Sequence, residues 1–223
     1  MTQTAFQAPA WAQAATQTRI HVDDNVLAAL SRVGMRRKWL PGNTLVHLGD
    51  EVNHASICVS GRFRVMLNNI DGQSVLLRFL LPGEIFGLPS VFTGAPFPTD
   101  VVCDKAGETI CVSKQALKNL LREQPDMAVN LIESLSTRVA ELFSLMESSL
   151  LPSLRARVHR RLVVLASIHG ERDQHGHTRL NLSQQDIAQA VNASRQKVHD
   201  ELKRMEREGL VQLGYRNITL LST

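Results

Sequence analysis

The distribution of apolar residues gives the first half of the chain a strand-like texture. From about residue 39 to residue 113, short apolar or alternating runs such as TLVHL, ASICVS and SVLLRFL are separated by turn-forming residues. Glycines recur there at intervals of 11 or 12 residues, at Gly49, Gly61, Gly72 and Gly83. Short strands with a glycine at each reversal predict a compact antiparallel β-barrel or β-roll.

The pattern changes to a helical one after Gln124-Pro125. Residues 126–150 contain no Gly or Pro, and apolar side chains recur there every three or four positions: Leu131, Leu135, Val139, Leu142, Leu145 and Met146. This spacing predicts a helix of about 25 residues with a long apolar stripe. A small barrel cannot cover such a stripe along its full length, so we expect the helix to pair with its copy in a homodimer. A helix lying across its own domain is the alternative.

The long helix is followed by an interruption and a second helix. Leu151-Pro152-Ser153 breaks the pattern, because proline lacks a backbone donor, and Ser153 can cap the helix LRARVHRRLVVLASIHG. We predict a hinge at this point. The next segment, GERDQHGHTR, is expected to be a solvated loop. Its two histidines, His175 and His177, lack the carboxylates or thiols that would complete a metal site.

Two short helices are predicted between Asn181 and Gly209. Ser183 and Asp186 form a capping-box pattern at the start of SQQDIAQA, and Asn192 suits a left-handed turn. Ser194 can cap the second helix, RQKVHDELKRMEREG, which ends at a glycine. A helix, a tight turn and a capped helix form the layout of a helix-turn-helix motif.

The side chains of these helices divide into an apolar core and a polar face. The predicted core consists of Ile187, Ala188, Val191, Val198, Leu202 and Met205. The polar face presents Arg195, Gln196, His199, Asp200 and Lys203. Arginine can bind guanine, glutamine can bind adenine, and aspartate can accept from cytosine. Ser194 and Lys197, at the helix start, suit a phosphate. The runs LVQLG and YRNITLL then predict a β-hairpin wing. A helical hairpin with a solvated outer face is the alternative.

Charge supports binding to a polyanion by the carboxy-terminal part. Residues 152–223 carry 12 Lys+Arg against 7 Asp+Glu, a net of +5, whereas residues 1–151 carry 13 against 14, a net of −1. A small basic module beside a near-neutral one is typical of nucleic-acid binding.

The other compositional signals indicate a cytoplasmic protein. Cys58, Cys103 and Cys111 lack CxxC spacing and lie in apolar, strand-like runs, so we expect small buried thiols rather than disulfides or metal ligands. No run approaches the ~18 apolar residues of a membrane span. The first residues lack the positive start and apolar core of a secretory signal. We therefore expect a reducing, cytoplasmic location and no membrane partner.

Enzymatic classes are disfavoured. A cupin-type metal enzyme needs a close pair of histidines and a glutamate on its strands, whereas His47 and His54 are seven residues apart. No nucleophile motif is present. A cyclic-nucleotide-like sensor module that acts on a protein partner without DNA is a further alternative, and the polar helix face and basic charge argue against it.

The sequence resembles the cyclic-AMP receptor protein / fumarate-nitrate regulator (CRP/FNR) superfamily of bacterial transcription factors. The resemblance covers roughly residues 20–220, through HLGDE, SGRFRV, DGQSVLLRFLLPGEIFG and LSQQDIAQAVNASRQKVHDELKRMEREGLV. It implies an α+β fold: a flexible tail (1–18), a cyclic-nucleotide-binding-like β-roll or jelly-roll sensor (19–124), a dimerisation helix (125–151) and a winged helix-turn-helix (152–223). It also implies palindromic duplex DNA and RNA polymerase as partners.

The resemblance assigns roles to particular residues of the second short helix. Arg195, Gln196 and Asp200 match the family's base-reading positions, and Ser194 and Lys197 match its phosphate neighbours. Cyclic-AMP-type members place an arginine where this chain has Asp200, so we expect a different DNA half-site.

The sensor departs from the cyclic-nucleotide binders of the family. Such members hold the ribose with a glutamate, where this chain has Leu88. They hold the phosphate with an Arg-Ser pair, where this chain has Pro98-Thr99 and therefore no cation. The long helix carries Leu142 and Phe143 where those members use polar residues. We therefore expect no cyclic AMP and no cofactor, and either a hydrophobic effector or a self-filled site. The candidate pocket is lined by Phe86, Gly87, Leu88, Pro98, Thr99, Leu142 and Phe143. Haem bound by His21, His47 or His54 is disfavoured, because such lone histidines are usually surface residues.

Overall fold

The computed structural model describes residues 24–68 and 74–221, without the side chains at positions 24, 25, 144, 145, 148 and 149. The tail predicted for residues 1–18 and His21 lie outside the described residues. The described chain divides into two compact units, one that ends at Leu135 and one that begins at Ser136.

The first unit is an antiparallel roll flanked by helices, which confirms the predicted fold class. Its strands are β1 (Met35–Trp39), β2 (Thr44–Val46), β3 (His54–Asn68), β4 (Ser74–Leu80), β5 (Ile85–Phe86) and β6 (Asp100–Ser113). Its helices are α1 (Asp24–Val33), α2 (Leu88–Thr93) and α3 (Lys114–Glu123). The strand order is β1-β6-β3-β4, with β2 paired to β6 and β5 paired to β3.

Gly61 does not reverse the chain as the sequence pattern predicted. It lies inside β3, which runs without a break over 15 residues, and it has a φ of +83°. The register between β3 and β6 shifts on both sides of it, so the glycine occupies a bulge. A Cβ there would lie 2.6 Å from the carbonyl oxygen of Ala106, which only glycine avoids. One bent strand therefore replaces two predicted strands.

Two apolar clusters fill the roll. The larger one brings Ile57, Ile110 and Val112 of the sheet against the buried faces of α1 and α3, with Leu30 and Leu117 fully buried. The smaller one surrounds Phe63 and includes Cys58, Leu80, Phe97, Val101 and Cys103.

The predicted long helix is present as α4 (Pro125–Ser149). Met127 and Leu131, near its start, pack in the larger cluster of the roll. Further along, a row of apolar side chains at intervals of three and four residues is exposed: Ile132, Leu135, Val139, Leu142 and Met146. Phe143 is also 66% exposed. The predicted stripe thus begins in the roll core and continues as an uncovered row.

The second unit combines three helices with a four-stranded sheet. Its elements are α5 (Leu154–His169), β7 (Glu171–Arg172), β8 (Thr178–Leu180), α6 (Gln184–Ala190), α7 (Arg195–Arg207), β9 (Val211–Gly214) and β10 (Asn217–Leu220). The sheet order is β7-β8-β10-β9. As expected, Ser153 caps α5, and its hydroxyl accepts a hydrogen bond from the backbone N–H of Ala156 at 3.1 Å.

The segment predicted as a solvated loop, residues 170–179, instead contains β7 and the start of β8. Because β8 pairs with β10, this hairpin extends the predicted two-stranded wing into a larger sheet. Within the described residues, no helix has the length and apolarity needed to cross a membrane.

Candidate functional site

The two short helices, α6 and α7, begin with the predicted caps. The Ser183 hydroxyl accepts from the backbone N–H of Asp186 at 3.2 Å, and the Asp186 carboxylate accepts from that of Ser183 at 2.8 Å, which completes the capping box. Asn192, in the turn, has a φ of +49°. Ser194 caps α7 by accepting from the backbone N–H of Lys197 at 3.4 Å. Local sequence therefore fixes the bend between the helices.

The apolar faces of these helices meet in a closed core. Every residue predicted for it is buried: Ile187, Ala188, Val191, Val198, Leu202 and Met205. On the other side of α7, Arg195, Gln196, Asp200 and Lys203 are exposed and His199 is half-buried. We call these five residues the recognition face. They are not covered by the core because only the opposite side of the helix packs against α6.

Hydrogen bonds orient part of the recognition face. The Gln196 side-chain amide donates to the Asp200 carboxylate at 3.0 Å, one helical turn away. A ring nitrogen of His199 lies 2.9 Å from the amide oxygen of Gln184, on α6. Lys203 forms an ion pair of 2.8 Å with Glu206. Arg195 is exposed at the first position of α7.

A buried carboxylate ties α7 to the first turn of α5. Glu201 has a side chain only 9% exposed, and it accepts from the guanidinium of Arg155 at 3.0 Å. Arg155 also pairs with Glu208, just beyond the end of α7. Burial of a carboxylate requires such a partner, so this contact holds the helix in place from behind. Sequence reasoning missed it, because the two residues are 46 positions apart.

The wing supplies two exposed side chains that sequence reasoning also missed. The β9–β10 turn consists of Tyr215 and Arg216, since Gly214 pairs with Asn217. Tyr215 is 91% exposed, and Arg216 has a φ of +53°. The Glu206 carboxylate accepts from the backbone N–H of Leu213 at 2.8 Å, so the wing is bound directly to the helix that carries the recognition face.

The predicted effector residues are distributed over both units. In the first unit, Phe86 and Gly87 line a cleft in the roll. Leu88 is 3% exposed and packs in the larger apolar cluster, whereas Pro98 is exposed and Thr99 half-buried. In the second unit, Leu142 and Phe143 are exposed on α4. The structure thus brings Phe86 and Gly87 into one cleft, whose lining does not include Leu88, Pro98 or Thr99.

Three arginines on β3 and β4 are paired with carboxylates. Arg62 and Arg64 both pair with Asp104, and the guanidinium of Arg62 lies 4.5 Å from the centre of the Phe79 ring. Arg78 pairs with Glu84 at 2.6 Å. Asp104 has a side chain only 6% exposed, so these ion pairs form part of the roll interior.

The three cysteines differ in their surroundings, contrary to the expectation that all are buried. Cys58 and Cys103 are buried, but Cys111 is half-buried. Burial, followed by the nearby charge of Glu84, raises the pKa of the Cys58 thiol to about 12. Burial also raises the pKa of Cys103. For Cys111, burial acts in the same direction, but hydrogen bonds from His54 and Ser56 outweigh it, and the pKa of this thiol is lowered.

Metal-binding groups are not clustered in the part of the chain that is described, where no three His, Cys, Asp or Glu side chains could hold one ion. His175 and His177 instead follow Asp173, whose carboxylate accepts from both of their backbone N–H groups at 2.8 and 3.0 Å.

Two family models match the chain in the order of its units. The cyclic nucleotide-binding domain matches residues 36–124, and the Crp-like helix-turn-helix domain matches residues 156–223. Among curated proteins, the CRP-like cAMP-activated global transcriptional regulator of Mycobacterium tuberculosis is 23% identical over 201 residues, which is 89% of each chain. The cAMP-activated global transcriptional regulator CRP of Pasteurella multocida is 22% identical over 187 residues, 83% of this chain and 90% of the relative.

Solved structures share the fold. The c-di-GMP responsive global regulator CLP of Xanthomonas campestris superposes with a TM-score of 0.76 at 19% identity, over 90% of this chain and 100% of that one. A mutant of CooA from Carboxydothermus hydrogenoformans gives 0.75 at 20% identity, over 88% and 86%. The two matched domains and the curated relatives indicate the same family, and the exposed polar face of the helix-turn-helix fits its function. The chain is a member of the CRP/FNR family of transcription regulators, with a DNA-binding helix-turn-helix domain in its carboxy-terminal unit.

Proposed function

We propose that the protein is a homodimer that binds palindromic duplex DNA and places one α7 helix of each subunit in successive major grooves. The observation that carries this proposal is the sidedness of α7. Val198, Leu202 and Met205 are fully buried, while Arg195 and Gln196 on the other side are exposed. A helix held by one face and polar on the other is the geometry that base recognition requires.

The recognition face divides into base-reading and phosphate-binding residues. Arg195 can bind the O6 and N7 atoms of guanine with two hydrogen bonds. Gln196 and Asp200 act as a pair, because the hydrogen bond between them already orders both side chains. Ser194 and Lys197 lie at the start of the helix, where the dipole and backbone N–H groups favour a phosphate. His199 and Lys203 border this surface, and Tyr215 and Arg216 extend it along the wing.

The exposed row on α4 supports dimerisation. Ile132, Leu135, Val139, Leu142 and Met146 are between 39% and 64% exposed, and their spacing of three and four residues is that of a two-stranded coiled coil. A continuous row of large apolar side chains is costly in water, so a second copy of the same helix is the partner that covers it with matching spacing. Two subunits then present two α7 helices to a two-fold symmetric site.

The sensor is proposed to respond to a signal other than cyclic AMP. Leu88 packs in the roll core and offers no acceptor for a ribose, and Pro98 offers no cation for a phosphate. The arginines Arg62, Arg64 and Arg78 are engaged by carboxylates. Transfer of a phosphate into such a site without a free cation costs several kcal/mol. A hydrophobic effector, or a roll site filled by its own side chains such as Phe86, fits these residues better.

The proposed location, partners and lack of catalysis rest on the family resemblance and on the composition of the chain. The protein acts in the cytoplasm, uses no cofactor and catalyses no reaction, and it recruits or blocks RNA polymerase at its operators. The M. tuberculosis and P. multocida relatives are described as cAMP-activated global transcriptional regulators. The proposed difference from them lies in the input signal.

Selection of duplexes from a random pool by the full-length protein tests the proposal. We expect enrichment of a two-fold symmetric site whose half-sites are separated by about 34 Å, one turn of DNA. Affinity should fall steeply as salt rises, because phosphate contacts release counterions. Failure to enrich any sequence, or enrichment of single half-sites only, would contradict the proposal.

A further inference from the structure

A polar bridge joins the two helices of the helix-turn-helix at the edge of the recognition face. The ring nitrogen Nδ1 of His199 lies 2.9 Å from the side-chain amide oxygen Oε1 of Gln184, the first residue of α6. Both residues are half-buried. The apolar core between the helices is closed without them, since Ile187 and Val198 are fully buried. The bridge therefore lies outside the core, and its main effect is on the imidazole of His199.

The bridge determines which nitrogen of the imidazole carries the hydrogen. An amide oxygen can only accept a hydrogen bond, so Nδ1 of His199 is the donor in this contact. In a neutral imidazole the other nitrogen, Nε2, is then an acceptor with a free lone pair. Among the described residues, Nε2 has no hydrogen-bond partner, and it is not a buried atom. His199 thus presents an oriented and unpaired acceptor on the surface of α7.

This acceptor lies between two side chains that can only donate. His199 follows Arg195 by one helical turn and precedes Lys203 by one turn, so the three project from the same side of α7. A phosphate does not match this side, because its oxygens only accept hydrogen bonds and would face the lone pair of Nε2. The edge of a base pair does match it, because acceptors and one amino group lie side by side in the major groove.

We propose that Nε2 of His199 accepts a hydrogen bond from the exocyclic amino group of one base, N6 of adenine or N4 of cytosine, and that Gln184 is its positioning residue. The inference rests on the proposed function, since it assigns one contact within the same DNA surface. Guanine and thymine present O6, N7 and O4 in the major groove, which are acceptors and cannot bind a second acceptor. His199 therefore selects adenine or cytosine on the strand that it faces.

Base analogues test this contact in the full-length protein. Purine lacks the amino group of adenine, and 2-pyrimidinone lacks that of cytosine. The position at which His199→Ala relaxes the selected half-site is located first, and the analogue is placed there. We expect the analogue to weaken binding of the wild-type protein about fivefold, the value of one neutral hydrogen bond, and to leave binding of His199→Ala unchanged. Fluorescence anisotropy measures both proteins on the same duplex, so changes in the duplex itself affect them equally.

The role of Gln184 is tested through the position of the hydrogen on the ring. Two-bond nitrogen–hydrogen NMR correlations, recorded without DNA at about pH 8, distinguish the two neutral forms of histidine. His199→Ala identifies the signals. We expect the Nδ1–H form in the wild-type protein and the Nε2–H form in Gln184→Met, which loses the acceptor oxygen.

Gln184→Met should also reduce the cost of the base analogue from about fivefold to about twofold, because Nε2 is then an acceptor for only part of the time. Gln185→Met is the matched control. Gln185 is the next residue of α6 and is exposed. Its substitution should change neither the NMR correlations of His199 nor the cost of the analogue, whatever it does to overall affinity.

Several outcomes would overturn the inference and leave the proposed function in place. Equal costs of the analogue for the wild-type protein and His199→Ala would show that Nε2 does not contact the amino group. An unchanged half-site in His199→Ala would show that this residue reads no base. The Nε2–H form in the wild-type protein would remove the acceptor. A protein that binds no duplex at all would instead overturn the proposed function, and this inference with it.

Discussion

The helix-turn-helix and the roll belong to the same family fold, but we propose that they preserve different amounts of its chemistry. In the carboxy-terminal unit, the side chains to which we assign base contacts, Arg195, Gln196 and Asp200, are polar and exposed. In the roll, the positions that would hold a nucleotide carry Leu88 and Pro98, and Leu88 is part of the core. We propose that this chain retains the output chemistry of the family and has replaced its input chemistry. Function therefore has to be assigned site by site within one chain.

The largest expected effect comes from a charge in the exposed row of α4. Val139→Glu places a carboxylate among the apolar side chains that we propose to form the dimer interface, and Val139 is 50% exposed, so the subunit itself should remain folded. We expect monomers in sedimentation experiments and a loss of about 100-fold or more in affinity for a palindromic duplex, because two linked contacts become one. Asn130→Glu, on the opposite side of α4, is the control and should remain dimeric. A dimeric Val139→Glu variant would place the interface elsewhere.

Replacement of Arg195 tests base reading directly. Arg195→Ala removes a side chain that can make two hydrogen bonds to guanine, and we expect a loss of about 1–3 kcal/mol. The loss should be confined to sites with the preferred base pair at one position, and sequence selection with the variant should show relaxed specificity there. Fluorescence anisotropy on a panel of single-base variants measures it. An equal loss on every duplex would reassign Arg195 to the phosphates.

The ion pair between Glu201 of α7 and Arg155 of α5 can be tested by measuring the free energy of unfolding. Glu201→Ala leaves Arg155 without its buried partner, and we expect the free energy of unfolding to fall by about 1–2 kcal/mol, discounted because Arg155 is 40% exposed. Glu208→Ala removes the exposed partner of the same arginine and should cost less than about 0.5 kcal/mol. Thermal and denaturant unfolding measure both. Equal losses would mean that the buried carboxylate does not fix the helix.

A smaller and uniform effect is expected from Lys197→Ala. Because we assign this residue to a phosphate, its loss should weaken binding to all sequences alike. The slope of log affinity against log salt should decrease in magnitude by about 1. Titrations at several salt concentrations check this, with Arg195→Ala as the comparison. A sequence-dependent loss would exchange the roles of the two residues.

The last prediction is that cyclic AMP has no effect on the protein. Calorimetric titration of the full-length protein with cyclic AMP should show no binding in the micromolar range, since Leu88 and Pro98 stand where the family resemblance places the ribose acceptor and the phosphate cation. Cyclic AMP should likewise leave the affinity for the selected duplex unchanged. Micromolar binding would show that the roll uses other residues for the nucleotide and would remove the contrast between the two units.

Sequence reasoning succeeded where the determinants are local. The caps Ser183 and Ser194 and the left-handed turn at Asn192 act within a few residues, so their pattern predicts the helix-turn-helix closely. The exposed row of α4 also follows from spacing alone. A side chain at every third or fourth position needs no knowledge of the rest of the fold.

The errors and omissions involve contacts between distant residues. Strand β7 has two residues and β8 has three, which is too short for a period to be visible. They are strands only because β7 pairs with β8 and β8 pairs with β10. The contact of Glu201 with Arg155 and the clustering of His54 with Cys111 likewise depend on register. Gly61 was misassigned because glycine marks a turn and a bulge equally well.

The bend at Gly61 has a consequence for how the roll tolerates mutation. Strand β3 pairs with β4, β5 and β6 over its 15 residues, so it joins three of the other five strands of the sheet. A one-residue deletion on either side of the bulge would invert the inward and outward faces of the remaining strand. Ile57 or Phe63 would then exchange places with polar neighbours. Length changes in this strand should therefore abolish folding altogether, whereas the same deletion at the exposed turn near Gly94 should be accommodated locally.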